Sequence, residues 1–461
     1  MNKWSSIWLV SGELISRALA FIVVVRVANY LGATAYGELS YVLAMASVLV
    51  IIADFGLSTF VVTHVSRHDD DRSIWLSQVF IIKGLLGIGM VLLAVVVGLV
   101  LPNVSLLLMV LAAGAIWLNN SRMFIEACFR AYQRMPLETF TKILAAVISL
   151  IIISLGVYWQ TNVLGLIITY VIAAVLGTTA AGLVLVLKVT RLQFVWSKKS
   201  FQQIIMASWP FAISIACNFL FNYEDAALLG IFKHTTALGW YTAAYKPIFV
   251  ITALAGMIIN AFLPTIVTAY QQNNTTWRTT IQQLFATNIA LALPLAAGGT
   301  IIAQPLIGLL FKADFAPAAL AFQILIWGTA TIYLWAVFGN SLQAIGQELI
   351  YTRAFGWGVL LNTGLNLVLI PTWSLYGAAL ATVITQLFLL GYLYYFFRKH
   401  IKVPVWLYSW RPLIATAVMV VVLQLVPADL WWQIGLGVIT YVVVLYCVGG
   451  LTPMLWPKSP S

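Results

Sequence analysis

The stretch Ile7–Tyr30, IWLVSGELISRALAFIVVVRVANY, decides how the whole chain is read. It is long and apolar enough to cross a bilayer as a helix, for which about 20 residues are needed. Yet it holds Glu13 and Arg17 well inside it. Charge at that depth costs about 2.5 to 3.5 kcal/mol per residue on insertion scales. Keeping it there implies a water-filled path for something charged. Ala18-Leu19-Ala20 imitates a leader cleavage site after a basic start, but Glu13 and Arg17 interrupt the apolar region and hydrophobicity continues past Ala20. The segment therefore reads as an uncleaved helix.

The pattern recurs along the chain. Of 461 residues, 62% are hydrophobic and 8% charged, far outside the soluble range. Apolar runs at roughly 7–30, 36–63, 78–101, 105–127, 139–158, 163–187, 205–231, 238–267, 283–311, 318–345, 351–371, 375–397, 411–426 and 431–450 predict an all-α integral membrane protein of about fourteen transmembrane helices. Loops after even-numbered spans, with the termini, hold nearly all the connecting Lys and Arg, among them Arg130, Lys188, Lys198, Lys199, Arg398 and Lys399. Loops after odd-numbered spans hold only Lys233 and Lys312. Both termini are thereby predicted to be cytoplasmic. The net charge of +11 is mostly this topology signal, with attraction to anionic membrane lipid secondary. No concentrated basic stripe points to nucleic acid.

An internal repeat organises the spans. Ala35-Tyr36-Gly37 at the start of span 2 parallels Ala237-Leu238-Gly239 at the start of span 8. Asn162-Val163-Leu164-Gly165 likewise parallels Ser374-Leu375-Tyr376-Gly377, at offsets of 202 and 212. Six spans separate the partners, so the halves share orientation about an axis along the membrane normal. The expected organisation is an N-lobe of spans 1–6 over residues 1–187, a basic cytoplasmic linker over 188–204, a C-lobe of spans 7–12 over 205–400, and spans 13 and 14 with the tail over 401–461. Two six-helix lobes related by a parallel pseudo-twofold around a central cavity suit alternating access.

Helix spacing sorts the polar groups, since residues three or four apart share a face. Ser6, Glu13, Ser16 and Arg17 form one stripe of span 1, with Glu13 and Arg17 able to pair. Arg26 lies near the outer end and can snorkel to the interface. Asn119, Arg122, Glu126 and Arg130 make a seam along span 4, read as the lining of the inner mouth. Ser214, Asn218, Asn222 and Asp225, with Glu224 adjacent, form a stripe in span 7. Its carboxylates can couple transport to Na⁺ or H⁺, or the stripe can be an interhelical seam. Lys246 precedes Pro247 deep in span 8 and suits an anionic headgroup, or a salt bridge to Glu224 or Asp225. Asp54 can pair with Arg17 or bind a cation. Lys83 and Lys142 read as snorkelling residues. Asn340, Gln343, Gln347, Asn362 and Asn366 read as helix glue.

The remaining motifs carry little chemistry. Cys128, Cys217 and Cys447 fall in apolar stretches and read as small buried hydrophobes. His64, His68 and Asp69 to Asp71 have metal-like spacing but read as a solvated loop. No phosphate-binding glycine loop and no soluble catalytic domain suggests an enzyme.

Leu31-Gly32-Ala33-Thr34-Ala35-Tyr36-Gly37, Phe129-Arg130-Ala131-Tyr132-Gln133-Arg134-Met135, and Leu361 to Pro371 followed by Tyr376 to Thr382 resemble the polysaccharide biosynthesis flippases of the multidrug/oligosaccharidyl-lipid/polysaccharide exporter superfamily. The resemblance covers essentially the whole chain. It implies no enzymatic activity and no cofactor beyond a coupling Na⁺ or H⁺. Its polysaccharide members move a polyprenyl-diphosphate-linked repeat unit, destined for O-antigen, capsule or exopolysaccharide, across the bacterial cytoplasmic membrane. Polysaccharide polymerase and assembly proteins are the implied partners. Related lipid II flippases use a cationic cavity for the diphosphate, and Arg17, Arg26 and Lys246 match that role by location, with Arg122 at the inner entrance. Glu13, Asp54, Glu224 and Asp225 are left as the coupling candidates. A lipid II flippase and a drug or cation antiporter are the rivals within the superfamily.

Overall fold

The computed structural model describes residues 3–64, 72–100, 105–190, 198–232, 235–426 and 429–450. Its long elements are α1 (Lys3–Asp54), α3 (Arg72–Val100), α4 (Leu106–Ala131), α5 (Met135–Tyr158), α6 (Val163–Lys188), α7 (Lys198–Phe232), α8 (Thr235–Gln271), α9 (Thr276–Leu310), α10 (Ala318–Ala344), α11 (Glu348–His400), α12 (Trp410–Leu425) and α13 (Leu430–Cys447), with a short α2 (Leu57–Thr63) after α1. Among the described residues, eleven helices are long and apolar enough to cross a membrane. A pair bent by 42°, Phe201–Ile213 and Ile215–Phe232, makes a twelfth.

Two of the twelve are too long for one crossing. At 1.5 Å per residue, the 52 residues of α1 and 53 of α11 span about 80 Å each, against a hydrocarbon core of about 30 Å. Each carries a single non-helical residue, Gly32 (φ 74°) in α1 and Ser374 (φ 53°) in α11. The helix breaks there, and each counts as two crossings, which gives fourteen. The loops expected at 31–35 and 372–374 are thus reduced to single-residue kinks. Conversely, the run at 36–63 is interrupted: Phe55 (φ 41°) and Gly56 (φ 78°) end α1 and start α2. Gly56 is needed because a Cβ there would meet backbone and side-chain atoms of Ser208 and Phe211 as close as 2.5 Å.

The outer surface is apolar, as lipid requires. Leu92, Leu99, Leu187 and Val368 are more than 60% exposed, and aromatic residues stand out at helix ends, among them Tyr158, Trp159, Trp406, Trp431 and Trp432. Amphipathic rings at those heights suit the membrane–water interfaces. Cys128 is buried and Cys217 half-buried, whereas Cys447 is exposed on α13, so its thiol faces outward rather than into the core.

Packing divides the chain into two compact units, Met1–Gly239 and Trp240–Ser461. In the first, a core of Leu57, Phe60, Leu76, Ile82, Phe124, Cys128 and Phe129 with Ile204 joins α2, α3, α4 and α7. This core takes one face of α4 and leaves the opposite face to the polar seam. In the second unit, α9 packs on α10 and α10 on α11, while the appended α12 and α13 dock on α9, where the Tyr441 hydroxyl donates to the Ala290 carbonyl at 2.6 Å.

The repeat is visible within the first unit as a reciprocal contact. Thr34 and Thr236, 202 residues apart, meet hydroxyl to hydroxyl at 2.7 Å. A Cβ on Gly37 would overlap the Thr235 carbonyl oxygen, and one on Gly239 would overlap that of Ala33. Equivalent residues touching equivalent residues is the signature of a local twofold. Gly37→Ala is expected to lose about 1 to 3 kcal/mol, the usual cost of overpacking, because backbone rather than a flexible side chain blocks the new methyl. Thermal unfolding of the purified protein in detergent checks this, and an unchanged midpoint refutes it.

Candidate functional site

A cavity of about 510 Å³ lies inside the first unit, lined from four helices. α1 supplies Glu13, Ser16, Arg17, Ala20, Val23 and Val24. α4 supplies Asn119, Arg122, Met123, Glu126 and Arg130; α5 supplies Glu138, Lys142, Ala145, Ala146, Ser149 and Ile153; α6 supplies Tyr170, Ala173, Ala174 and Gly177. The volume lies in the range of about 300 to 1,000 Å³ typical of ligand sites. It exists because the walls are small: the nearest atom to a Cβ on Gly177 would be the Ala145 Cβ at 3.2 Å, with Arg122 Cδ at 3.7 Å. Larger side chains there would fill the space that the guanidinium occupies.

The charges form a relay of pairs. Glu13 bridges two helices: Oε1 accepts from Arg17 Nε at 2.6 Å, and Oε2 accepts from Lys142 Nζ at 3.0 Å. Lys142 also lies 3.6 Å from Glu138 Oε1, and Glu138 Oε2 lies 3.4 Å from Arg130 Nε. On α4, Arg122 is paired with Glu126 one turn on and reaches Asn119 Oδ1 at 3.3 Å. Among the described lining residues four cations therefore face three carboxylates, leaving the cavity one positive charge in excess. The register that makes this possible is set by Gly12. A Cβ there would lie 2.7 Å from Thr139 Cγ2, and the Thr139 hydroxyl donates to the Trp8 carbonyl at 2.9 Å. That close approach of α1 and α5 brings Lys142, one turn beyond Thr139, to Glu13.

Glu13, Ser16, Arg17 and the seam Asn119, Arg122, Glu126 and Arg130 thus come together as one site. The side chains of Ser6 and Ser214 lie outside the described residues. Arg26 does not line the cavity; it is exposed and donates to Ser154 Oγ at 3.0 Å. Lys142, expected at the interface, instead sits in the relay, 20% exposed. Glu138 carries a signal in the sequence, being one turn before Lys142 just as Glu13 is one turn before Arg17.

Asp54 and Lys83 correct their expectations together. Lys83 is 2% and Asp54 3% exposed. Lys83 Nζ donates to Asp54 Oδ1 at 3.1 Å and to Asn120 Oδ1 at 2.6 Å, and Ser58 Oγ gives Asp54 Oδ1 a second bond at 2.6 Å. Asp54 therefore pairs with Lys83 and not with Arg17, and Lys83 does not snorkel, because the α2–α3–α4 core closes over it. In α7, Glu224 and Asp225 are buried while Asn218 and Asn222 are exposed, so the expected stripe is split between two environments. In the second unit, Lys246 is half-buried on α8, and within that unit it makes no ion pair or hydrogen bond among the described residues. A further cavity of about 450 Å³ there includes Lys312, Gln304, Gln323 and Tyr376.

Amide glue is seen where Asn362 Oδ1 accepts from Thr385 at 3.3 Å across the kink of α11. His64 stacks on Phe60 with ring centroids 4.7 Å apart. His68 and Asp69 to Asp71 lie outside the described residues, and among those described no three metal-binding side chains cluster.

Comparison with known proteins agrees with this architecture. The chain is similar to a probable low-salt glycan biosynthesis flippase of Haloferax volcanii, 24% identical over 395 residues, covering 83% of this chain and 80% of that one. It is similar to an uncharacterized membrane protein of Methanocaldococcus jannaschii, 22% identical over 414 residues, covering 82% and 80%. Among solved structures, its fold matches the lipid II flippase MurJ in an inward closed conformation with a TM-score of 0.83 at 15% identity, over 96% of this chain and 98% of that one. An inward-facing multidrug resistance MATE transporter matches with a TM-score of 0.61 at 14% identity, over 82% and 98%. The model of the polysaccharide biosynthesis protein family matches residues 4–269, more than half of a multi-pass membrane chain that shares the MurJ-like fold, and the chain belongs to that family.

Proposed function

We propose that the chain translocates a polyprenyl-diphosphate-linked oligosaccharide across the cytoplasmic membrane by alternating access, and that the cavity between α1, α4, α5 and α6 receives the diphosphate. The observation that carries this reading is the set Arg17, Arg122, Arg130 and Lys142 around one intramembrane cavity. Cations at that depth are retained where they meet an anion or line a wet path, and paired guanidinium groups match phosphate oxygens. An organic cation would be repelled by the excess positive charge, which weighs against a drug or cation antiporter. In this reading the sugars stay in hydrated space and the polyprenyl tail stays in lipid, so neither pays desolvation. Lys246 supplies a second point charge for the headgroup along its path. Glu224 and Asp225, buried in α7, remain candidates for coupling to Na⁺ or H⁺ beside Glu13 and Asp54, which are engaged by Arg17 with Lys142 and by Lys83. The positive-inside pattern sets the α4–α5 turn on the cytoplasmic side.

Deletion of the gene followed by analysis of the lipid fraction tests the assignment. Accumulation of a lipid-linked glycan with loss of the surface polymer is expected. Sensitivity to cationic drugs without any lipid-linked intermediate would overturn it, and shortened surface chains with intact translocation would indicate a polymerising enzyme instead. Ala146→Trp, which fills the cavity wall, is expected to reduce glycan export at least about tenfold, the effect of losing one strong polar contact to the cargo, with the protein still in the membrane. Export at the wild-type rate would remove the cavity from the path.

A further inference from the structure

We propose that Glu13 is an internal counter-anion that sets a charge threshold for the cavity, so that a diphosphate dianion enters while the phosphodiester monoanions of bulk phospholipid do not. The inference rests on the reading of this cavity as the headgroup site. Both oxygens of Glu13 are engaged, one on Arg17 of α1 and the other on Lys142 of α5. A carboxylate therefore already stands where two phosphate oxygens would bind.

Exposure separates Glu13 from the other acids of the cavity. Its side chain is 33% exposed, and those of its partners Arg17 and Lys142 are 28% and 20%. The side chains of Glu126 and Glu138 are 4% and 3% exposed, so they are packed behind Arg122 and Arg130. Glu13 is the acid that can leave its cations and turn into water. Replacing it by a monoanion exchanges one negative charge for one, with dehydration of the newcomer as a net cost. Replacing it by a diphosphate brings a second negative charge to the same two cations and to the excess charge of the cavity. The threshold thus lies between one and two charges, which is the difference between the lipids that fill a membrane and the carrier lipids that are rare in it.

Equilibrium binding to the full-length protein in detergent, using dihexyl diphosphate and dihexyl phosphate as matched dianion and monoanion, tests the threshold. The wild type is expected to favour the diphosphate by about tenfold or more, the worth of one charge-assisted hydrogen bond. Glu13→Gln, which removes the displacement that both ligands must make, is expected to tighten both about tenfold, so that the monoanion, negligible in the wild type, binds measurably. Glu13→Asp, which keeps the charge, is expected to return both to wild-type affinity. A purely structural role for Glu13 would weaken both ligands together. Glu13→Ala gives the same readout where the amide variant does not fold. Monoanion binding as weak in the neutral variant as in the wild type, with diphosphate binding still dependent on Arg17, overturns the threshold alone. Diphosphate binding that ignores Arg17→Gln and Lys142→Gln overturns the headgroup reading, and the threshold with it.

Discussion

Cells whose copy of the protein carries Arg17→Ala or Lys246→Ala are expected to make no surface glycan while the protein remains in the membrane. For Arg17 the reason is charge balance. Four cations face three carboxylates in the cavity, so removing one guanidinium cancels the excess and leaves Glu13 bound to Lys142 alone. A hydrogen bond to a charged group is worth about 1.5 to 3 kcal/mol, which converts to roughly tenfold to hundredfold in headgroup affinity. Lys142→Ala should act through the same balance. Arg17→Lys should be milder, because charge is kept while the fixed Nε contact to Glu13 is lost. Lys246 makes no ion pair or hydrogen bond within its unit among the described residues, so its removal breaks no pair there while a charged cargo loses a cation. Immunodetection in membranes alongside glycan staining separates export from abundance. Normal glycan in both Arg17→Ala and Lys246→Ala would end the assignment.

The second large effect falls on stability and not on cargo. Lys83→Ala leaves the Asp54 carboxylate in a site that is 3% exposed, with the Ser58 hydroxyl still donating to it. Breaking a buried pair by removing one partner typically costs about 3 to 5 kcal/mol, whereas replacing both partners by apolar groups of similar size is often neutral. Lys83→Met with Asp54→Leu should therefore recover most of what Lys83→Ala loses. Unfolding midpoints in detergent measure the three proteins side by side. A single mutant as stable as the wild type, or a double mutant as unstable as the single, would show that the pair is not the clamp the geometry implies.

Arg17 and Lys83 also differ in how far their roles can be read from the chain. Glu13, Ser16 and Arg17 are legible as one stripe because a helix fixes which residues share a face. The seam from Asn119 to Arg130 is legible for the same reason, and both line the cavity. Lys83 and the contact of Lys142 with Glu13 escape such reading because, beyond Glu138 one turn before Lys142, the chain offers only distance from a helix end. A lysine four residues from an interface can snorkel if lipid surrounds it, but whether lipid or a neighbouring helix surrounds it is a tertiary fact. Here α5 lies against α1, held by Gly12 and Thr139, and α3 lies against α2 and α4. The span count is legible too, as are the breaks between spans at 31–35 and 372–374, where Gly32 and Ser374 interrupt α1 and α11; the break at Phe55-Gly56 is not, since a turn within an apolar run leaves hydropathy almost unchanged.

Composition and local period carry the number of membrane helices, the repeat, and the polar faces of the first and fourth spans. Lipid enforces the helical form of the spans and their apolar outer faces, because every backbone group must be satisfied within its own helix. Which charges meet between helices, as Glu13 with Lys142, Glu138 with Arg130 and Asp54 with Lys83 do, is settled by the packed helices alone. Pairing depends on close approach between segments far apart in the chain, and that approach is set by small residues such as Gly12, Gly37 and Gly177, whose importance lies in what stands opposite them.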